Sequence, residues 1–438
     1  MRLRIALPYG HGEIAAQIPD VRILAVARNG LSQKQPSASA DALVAQALEN
    51  PIGSPPLWEL AKGKQKVVLL ASDHTRPVPS KAIVPQMLRQ IRQGNPEAEI
   101  TILIATGCHR GTTQEELIRK FGPEICQREH IVIHDCQQSP TVDLGTLPSG
   151  APLRVNALAA QADLLVAEGF IEPHFFAGFS GGRKSVLPGV CSTETVYANH
   201  CAALIDSPYA HSGSLEQNPI HRDMVEGARR AGLRFIVNAV INGAHETVAA
   251  FAGDLEQAHS AGTDYVNSLC RVEVSEPAGI VITGNGGYPL DQNIYQAVKA
   301  ISTANIVAKP GGVIIMCAAC EDGHGGEDFY NTFSSGRSAK QILSDIRSVP
   351  MEQTQQDQWQ SQIMAKAMAE HPVILVSTLP APFVEKMGLI AAADLETAVQ
   401  KADALLHTRE KILVLPDGIG CIPKLKEKSF EQKERRTK

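Results

Sequence analysis

Short apolar runs rich in β-branched residues alternate with stretches of helical spacing along most of the chain. This alternation predicts strands joined by crossover helices, an arrangement that builds largely parallel sheets flanked by helices. The nine runs occupy residues 67–70, 100–104, 131–133, 164–166, 235–240, 280–282, 313–315, 373–376 and 412–415. We therefore expect an α/β protein.

The chain has 438 residues, which is more than one hydrophobic core usually supports. A polar stretch at 271–277 precedes a fresh apolar run, so the sequence predicts an N-terminal domain over 1–272 and a C-terminal domain over 273–423. We expect both domains to be α/β, with the active site in the cleft between them. Residues 424–438 hold seven Lys or Arg and three Glu, and this composition predicts a disordered charged tail.

Composition and charge exclude several classes of protein. The net charge of -5 gives no basic footprint for nucleic acid. No uncharged apolar run of about 18 residues is present, so we expect no membrane segment. The nine cysteines are odd in number, scattered and not preceded by a secretory leader, which predicts reduced thiols and a cytoplasmic protein.

The first polar strand end is the loop of Asp73, His74, Thr75 and Arg76, which follows the run at 67–70. Open α/β sheets place ligands where strands end. Pro77 forces Arg76 into an extended or turn conformation, so the loop offers fixed donors to an anion. A polar turn with an Asp–Arg pair is an equally weighted interpretation.

The second polar strand end follows the run at 100–104. Thr112 with Glu115, or Thr113 with Glu116, forms a capping box, which predicts a helix start just after this loop. His109 then lies above the strand and is placed for proton transfer. A structural role is the more common one for a lone histidine.

The segment 168–189 is the densest in polar chemistry. A G-x-S-x-G motif at 178–182 includes Ser180, but no buried strand directly precedes it, as the nucleophile elbow of hydrolases requires. The segment is close to a P-loop, yet Arg183 stands where that motif needs glycine. What remains is Lys184 at the end of a Gly-rich loop, ten residues after His174.

Two predicted helices carry further candidates. A helix over 192–205 places His200 on its apolar face, where a core residue is more common than a ligand. After the run at 280–282, Gln296 and Lys299 share the polar face of a helix. That face either meets solvent or holds a carboxylate.

Metal motifs are sparse in this sequence. Cys317 and Cys320 form a C-x-x-C without a partner pair at zinc-finger spacing. Any metal is therefore held by few protein ligands.

Taken together, these motifs resemble the nickel-dependent lactate racemase family up to about residue 423. The matching segments are 72–79, 105–110, 168–189 with His174 and Lys184, 198–200, and 286–299. The resemblance implies a racemase or epimerase, with cofactor binding and catalysis in the N-terminal domain and a C-terminal domain that closes over the site.

The family's cofactor is a nickel-pincer nucleotide, a pyridinium mononucleotide that binds nickel through two sulfurs and a ring carbon. By resemblance, Lys184 carries it covalently through a thioamide and His200 is the nickel ligand. The resemblance also assigns the remaining candidates. Cofactor contacts are Asp73, His74, Thr75 and Arg76, acid/base residues are His109 and His174, and substrate contacts are Arg76, Gln296 and Lys299.

The chemistry implied by the resemblance is inversion of C2 of a small 2-hydroxy acid. The Cα hydrogen beside an ionised carboxylate is a very poor acid, so hydride transfer to and from the cofactor replaces direct deprotonation. The family also implies enzymes of cofactor synthesis as partners.

The sequence departs from the lactate-specific pattern beside His109. Cys108 stands where lactate racemases usually have a bulky aromatic residue, and Gly111 stands where they usually have proline. The added space favours a larger 2-hydroxy acid, such as the sugar acid gluconate, over lactate, which is the second hypothesis. Two hypotheses from different classes are a non-catalytic nickel- or nucleotide-binding protein and a hydrolase that uses Ser180.

Overall fold

The computed structural model describes residues 1–426, and most of the expected tail, 427–438, lies outside the described residues. The chain divides into two compact units. The central unit contains Gly30–Leu269 and Val349–Gln356. The terminal unit contains Met1–Asn29, Cys270–Ser348 and the chain from Asp357 onward.

Strands and helices alternate through both units. The strands are β1 (Arg2–Tyr9), β2 (Gly12–Pro19), β3 (Ile23–Val26), β4 (Lys66–Ser72), β5 (Glu99–Ala105), β6 (His130–Ile133), β7 (Thr141–Thr146), β8 (Pro152–Asn156), β9 (Leu164–Phe170), β10 (Pro173–His174), β11 (Gly178–Phe179), β12 (Leu233–Ile241), β13 (Thr247–Gly253), β14 (Arg271–Val274), β15 (Ala278–Gly284), β16 (Ala308–Cys317), β17 (Val373–Val376), β18 (Ile390–Ala392), β19 (Ile412–Leu415) and β20 (Ile422–Leu425). The helices are α1 (Ala40–Glu49), α2 (Leu57–Leu60), α3 (Ser80–Gly94), α4 (Gln114–Phe121), α5 (Pro123–Arg128), α6 (Ala157–Ala160), α7 (Thr193–Asn199), α8 (Ala202–Ile205), α9 (Pro219–Arg230), α10 (Gln257–Cys270), α11 (Ile294–Val307), α12 (Glu327–Phe333), α13 (Ala339–Arg347), α14 (Gln358–Glu370), α15 (Ala381–Lys386) and α16 (Leu395–Leu406).

The central unit is built on a six-stranded sheet of order β13-β12-β9-β4-β5-β6. All pairs are parallel except β12 with β13. Strands β4 and β9 are apolar and buried along most of their length, as strands covered on both faces must be. The strand order changes direction between β4 and β9. The carboxyl ends of these two strands are therefore the expected ligand position.

The terminal unit is built on a fully parallel sheet of order β18-β17-β16-β15-β19-β3. Its order changes direction between β15 and β19. The loop that leads into α11 follows β15 at that point. The α/β fold with largely parallel sheets, expected from the nine apolar runs, is confirmed, since each run lies within a strand.

The units differ from the expected domains at their ends. Residues 1–29 belong to the terminal unit because β3 pairs with β19, although the expected domain of 1–272 includes them. The polar stretch at 271–277 begins as a strand, β14, which pairs with β20. Lys424 and Leu425 lie in β20 and so are ordered structure, contrary to the expected tail start at 424. Within residues 1–426, no helix is long and apolar enough to cross a bilayer.

Candidate active site

The loop after β4 holds a buried carboxylate that pairs with a histidine from the loop after β5. Asp73 Oδ2 lies 2.7 Å from His109 Nδ1, and Asp73 Oδ1 accepts hydrogen bonds from Thr75 N and Thr75 Oγ1. Burial opposes ionisation of Asp73, but the hydrogen bond from His109 and those from Thr75 outweigh it and lower its pKa to about 2. Asp73 therefore hydrogen-bonds with His109, and the charge of Arg76, its partner in the polar-turn interpretation, adds a weaker effect that also lowers the pKa of Asp73.

The loop that carries His109 is fixed at both ends. Thr113 and Glu116 form the capping box that starts α4, which confirms one of the two predicted boxes. At the other end, the Gly107 N–H donates to the Gly189 carbonyl. The His109 side chain is 46% exposed, so its ring is anchored by Asp73 while it still reaches the surface of this unit.

Glu168, at the end of β9, joins the two strands that flank the change of direction. Its Oε1 accepts hydrogen bonds from Ser72 N, Ser72 Oγ and Ser80 Oγ. Its Oε2 is buried and has no hydrogen-bond partner among the described residues. Sequence reasoning missed this anchor. The signal was an acidic residue directly after the apolar run 164–167.

His174 and Lys184 lie in contact. Lys184 Nζ is 3.3 Å from His174 Nε2, and the Ala177 N–H donates to His174 Nδ1. Because Nδ1 accepts, the proton of the neutral ring is on Nε2. The Lys184 amine thus lies at hydrogen-bond distance from the His174 ring.

His200 lies at the C-terminal end of α7 and is 4% exposed. Its Nδ1 lies 2.8 Å from the Val196 carbonyl, to which it donates, so the lone pair is on Nε2. Burial lowers the pKa of His200 to about 3, which keeps the ring neutral. This is the form in which imidazole binds a metal ion.

Phe176 lies in contact with His174, His200 and Lys184. Its ring packs edge-on against His174 and His200, with ring centroids 4.5 and 5.0 Å away, and Lys184 Nζ lies 5.5 Å from its centroid. The structure therefore brings together three of the sequence-predicted residues, His174, Lys184 and His200. Among the described residues, no group of three or more His, Cys, Asp or Glu side chains forms a metal site.

A buried arginine holds the loop before Lys184. Arg183 is 1% exposed, and its guanidinium donates to the carbonyls of Ala177, Ser180 and Gly181. It also contacts His221 and His259. Burial lowers the pKa of Arg183 to about 9, so it stays charged at neutral pH without a carboxylate partner among the described residues.

Ser180 has a structural role in this loop. Its hydroxyl donates to the Phe170 carbonyl and accepts from Glu172 N, and the side chain is buried. Among the described residues no histidine contacts this hydroxyl, so the arrangement lacks the base that a serine nucleophile needs. Gly181 has φ +76°, and a Cβ there would approach the Phe170 carbonyl at 2.9 Å, which explains the glycine.

A basic cavity adjoins the loop after β4. It has a volume of ≈ 280 Å³ and is lined by four cationic side chains together with His74 and Glu116. The cationic residues are Arg76, Lys81, Arg119 and Lys120. Burial lowers the pKa of Lys120, whose Nζ donates to the Arg76 carbonyl. The charge of this cavity suits an anionic group.

Gln296 and Lys299 lie on α11 of the terminal unit. Both are half-buried, and the side-chain amide oxygen of Gln296 has no partner among the described residues. Cys317 and Cys320, at the end of β16 and just after it, are fully buried, and burial raises the pKa of both thiols.

The central unit thus holds the Asp73–His109 pair and, in a second cluster, the Lys184 amine, His174 and the neutral imidazole of His200. Such a concentration of titratable groups, several with shifted pKa values, is typical of enzyme active sites. Comparison with known proteins makes the class specific: the lactate racemase N-terminal domain model matches residues 9–213, and the lactate racemase C-terminal domain model matches residues 273–423.

Close relatives agree with the domain matches. The lactate racemase of Thermoanaerobacterium thermosaccharolyticum is 48% identical over 420 residues, which covers 95% of this chain and 98% of the relative. The lactate racemase of Lactiplantibacillus plantarum is 46% identical over 422 residues, which covers 96% and 99%. The structure of the lactate racemase apoprotein from T. thermosaccharolyticum superposes with a TM-score of 0.93 at 47% identity, and covers 96% of this chain and all of that one. The chain belongs to the lactate racemase family and is an isomerase, as the sequence motifs predicted.

Proposed function

We propose that this chain inverts C2 of a small 2-hydroxy acid, using His109 and His174 as the acid/base pair. The supporting observation is that hydrogen bonds leave the free lone pair on Nε2 in His109, whereas in His174 Nε2 carries the proton. A racemase needs such a pair, because one group removes the hydroxyl proton while another supplies a proton on the return step.

His109 is the base in this proposal. Asp73 is ionised at neutral pH and accepts only, so His109 Nδ1 donates to it and the lone pair lies on Nε2. The carboxylate also stabilises the positive charge that His109 gains when it takes a proton. His174 has the opposite arrangement, since its Nδ1 accepts from Ala177 and its Nε2 carries the proton. The two histidines exchange roles for the opposite enantiomer.

Lys184 and His200 fit the family's nickel-pincer nucleotide. The amine of Lys184, which lies beside the His174 ring, would be acylated to form the thioamide link, and His200 Nε2 would ligate nickel. The basic cavity with Arg76 and Lys120 suits the phosphate of a nucleotide. When bound, this cofactor accepts hydride from C2 and returns it.

The substrate carboxylate is assigned to Lys299 and Gln296, with Arg76 as a further contact. Lys299 would give charge, and the Gln296 amide would give direction to the bound carboxylate. Lactate is the substrate named for the relatives, and it is the first candidate for this chain.

A larger acid, such as gluconate, is the second candidate, favoured by the small residues beside His109. Cys108 is half-buried, and a Cβ built on Gly111 would meet one atom, Ile133 Cγ2, at 3.8 Å. This loop therefore leaves room that an aromatic side chain would fill.

The test is chiral chromatography of single stereoisomers of lactate, malate, phenyllactate and gluconate after incubation with cofactor-loaded protein. Inversion of any one acid supports the proposal and names the substrate. His109→Ala and His174→Ala should each slow inversion by about 10²–10⁴-fold with nickel still bound, whereas the exposed His130→Ala control should not. A protein that holds nickel but inverts none of the four acids would instead be the non-catalytic binding protein.

A further inference from the structure

Two thiols meet where neighbouring strands of the central sheet end. Cys108 follows β5 in the loop that carries His109, and Cys136 follows β6, the strand that pairs with β5 in parallel. The Cys108 thiol donates a hydrogen bond to the Cys136 sulfur. Neither cysteine forms a disulfide, and both are half-buried rather than enclosed in the core.

The Cys136 sulfur receives a second hydrogen bond, from Thr193 Oγ1 at 3.2 Å. Two donors on one sulfur stabilise its negative charge. The hydrogen bond from Cys108, together with that from Thr193, outweighs burial and lowers the pKa of Cys136 to about 6. The lowered pKa favours the thiolate of Cys136, and the thiolate is the reactive form.

Cys126 provides the contrast within the same unit. It is also free and half-buried, but burial raises its pKa. Accessibility alone therefore does not distinguish Cys136, whereas its hydrogen bonds do.

We propose that Cys136 and Cys108 form a peroxide-reactive pair, in which Cys136 is oxidised first and Cys108 closes a reversible disulfide. The Cys136 thiolate attacks hydrogen peroxide, the O–O bond breaks, and a sulfenic acid and hydroxide form. The Cys108 sulfur then attacks the sulfenic sulfur, the S–O bond breaks, and water leaves with the thiol proton. The two electrons lost by the thiols reduce the peroxide, and a dithiol such as dithiothreitol restores them.

The Cys108–Cys136 pair lies next to two segments that carry candidate site residues, the His109 loop and α7. Cys108 precedes His109, which Asp73 holds by its Nδ1. The Cys136 carbonyl accepts from Thr193 N, and Thr193 begins α7, which ends beside His200. A disulfide would therefore pull on the His109 loop and on the start of the helix that positions His200. This effect on activity rests on the proposed function, whereas the thiol chemistry does not.

The first test uses the full chain without cofactor. Iodoacetamide at pH 7 should alkylate Cys136 at least about tenfold faster than Cys126. After treatment with hydrogen peroxide, digestion and mass spectrometry should find a Cys108–Cys136 linked peptide that dithiothreitol removes. Cys126→Ser should keep the link and Cys136→Ser should lose it, with thermal midpoints close to that of the parent protein. Equal alkylation rates, or no linked peptide, would overturn the proposal.

The second test addresses activity and separates the two proposals. Loaded enzyme should lose inversion in peroxide and regain it in dithiothreitol, while Cys136→Ser resists the same dose. Equal loss in both proteins would overturn the effect on activity. A linked peptide in a protein that inverts no acid would support the thiol pair and count against the racemase proposal alone.

Discussion

His109 and His174 are assigned the same role, yet their surroundings differ in almost every respect. His109 is half exposed, lies in a loop and donates to a buried carboxylate. His174 packs against the rings of Phe175 and Phe176 and contacts an amine. The proposed acid/base role does not require the two histidines to have the same surroundings. It requires a defined position of the ring proton, which is Nδ1 in His109 and Nε2 in His174.

The two regions are also stabilised differently. The His109 ring is held by one charged hydrogen bond, from Nδ1 to Asp73, in a loop whose ends are fixed by the Gly107–Gly189 hydrogen bond and the capping box of α4. The His174 region depends on a buried arginine, Arg183, that fixes three carbonyls of the following loop. The Asp73–His109 hydrogen bond is local, and the single substitution Asp73→Asn can reverse its direction. Arg183, in contrast, is part of the buried core.

Asp73→Asn should produce the largest change in activity. An Asn amide can donate to His109 Nδ1, which moves the ring proton to Nε2 and removes the lone pair needed for the base. By analogy with the carboxylate–histidine pair of serine proteases, we expect kcat for inversion to fall by about 10³–10⁴-fold. The measurement is the rate of inversion at saturating substrate, with bound nickel determined on the same sample. A loss below tenfold would show that Asp73 does not set the tautomer.

Arg183→Met should have the largest effect on stability. Removal of the guanidinium leaves the carbonyls of Ala177, Ser180 and Gly181 buried without their donors, and we expect a loss of about 3–5 kcal/mol. Urea denaturation followed by circular dichroism measures it. Arg154→Met, which removes a surface ion pair with Glu194, is the control and should cost at most about 1 kcal/mol. Similar losses in both variants would mean that Arg183 is not the anchor of the His174 region.

The sequence predicted the fold class because apolar β-branched runs are a local signal. All nine runs became strands, and all of them except the run in the edge strand β6 are largely buried, as strands of a sheet covered on both faces must be. Strand β3 was not predicted because its four residues are half-buried at the edge of the terminal sheet. That strand places residues 1–29 in the terminal unit, and its partner β19 lies almost 400 residues away in the chain.

The candidate residues of the site were found from motifs, but their pairings were not. Asp73 meets His109 because β4 pairs with β5, and the sequences of the two loops do not predict which strands are neighbours in the sheet. The contacts of Cys136 with Thr193 and of Arg183 with His221 and His259 were likewise missed, since these partners lie in distant segments of the chain. Sequence motifs identify which chemistry is present, whereas the sheet decides which groups touch.

Acid should lower the free energy of unfolding through Asp73, by a smaller amount than Arg183→Met does. The folded pKa of Asp73 is about 2, below its ordinary value of 3.8, so the ionised group stabilises the fold above pH 3.8 and loses this effect as the pH falls through 2. The contribution is about 2 kcal/mol. The stability difference between the parent protein and Asp73→Asn, measured in urea, should shrink by most of that amount between pH 6 and pH 2.5. The exposed Asp264→Asn should show no such trend.

Cys108→Phe should have the smallest effect, and it sharpens the comparison because it changes the neighbour of His109 but not those of His174, although it also removes the hydrogen bond from Cys108 to Cys136. An aromatic ring beside His109 would fill the space that Cys108 and Gly111 leave, while the His174 region stays as it is. If the natural substrate is larger than lactate, the ratio of kcat/KM for lactate to that for gluconate should rise by about tenfold. The matched control is Cys126→Phe, which lies in the same unit, on α5. An unchanged ratio in Cys108→Phe would mean that the space beside His109 does not receive the substrate, and specificity would then depend on the groups that face the carboxylate.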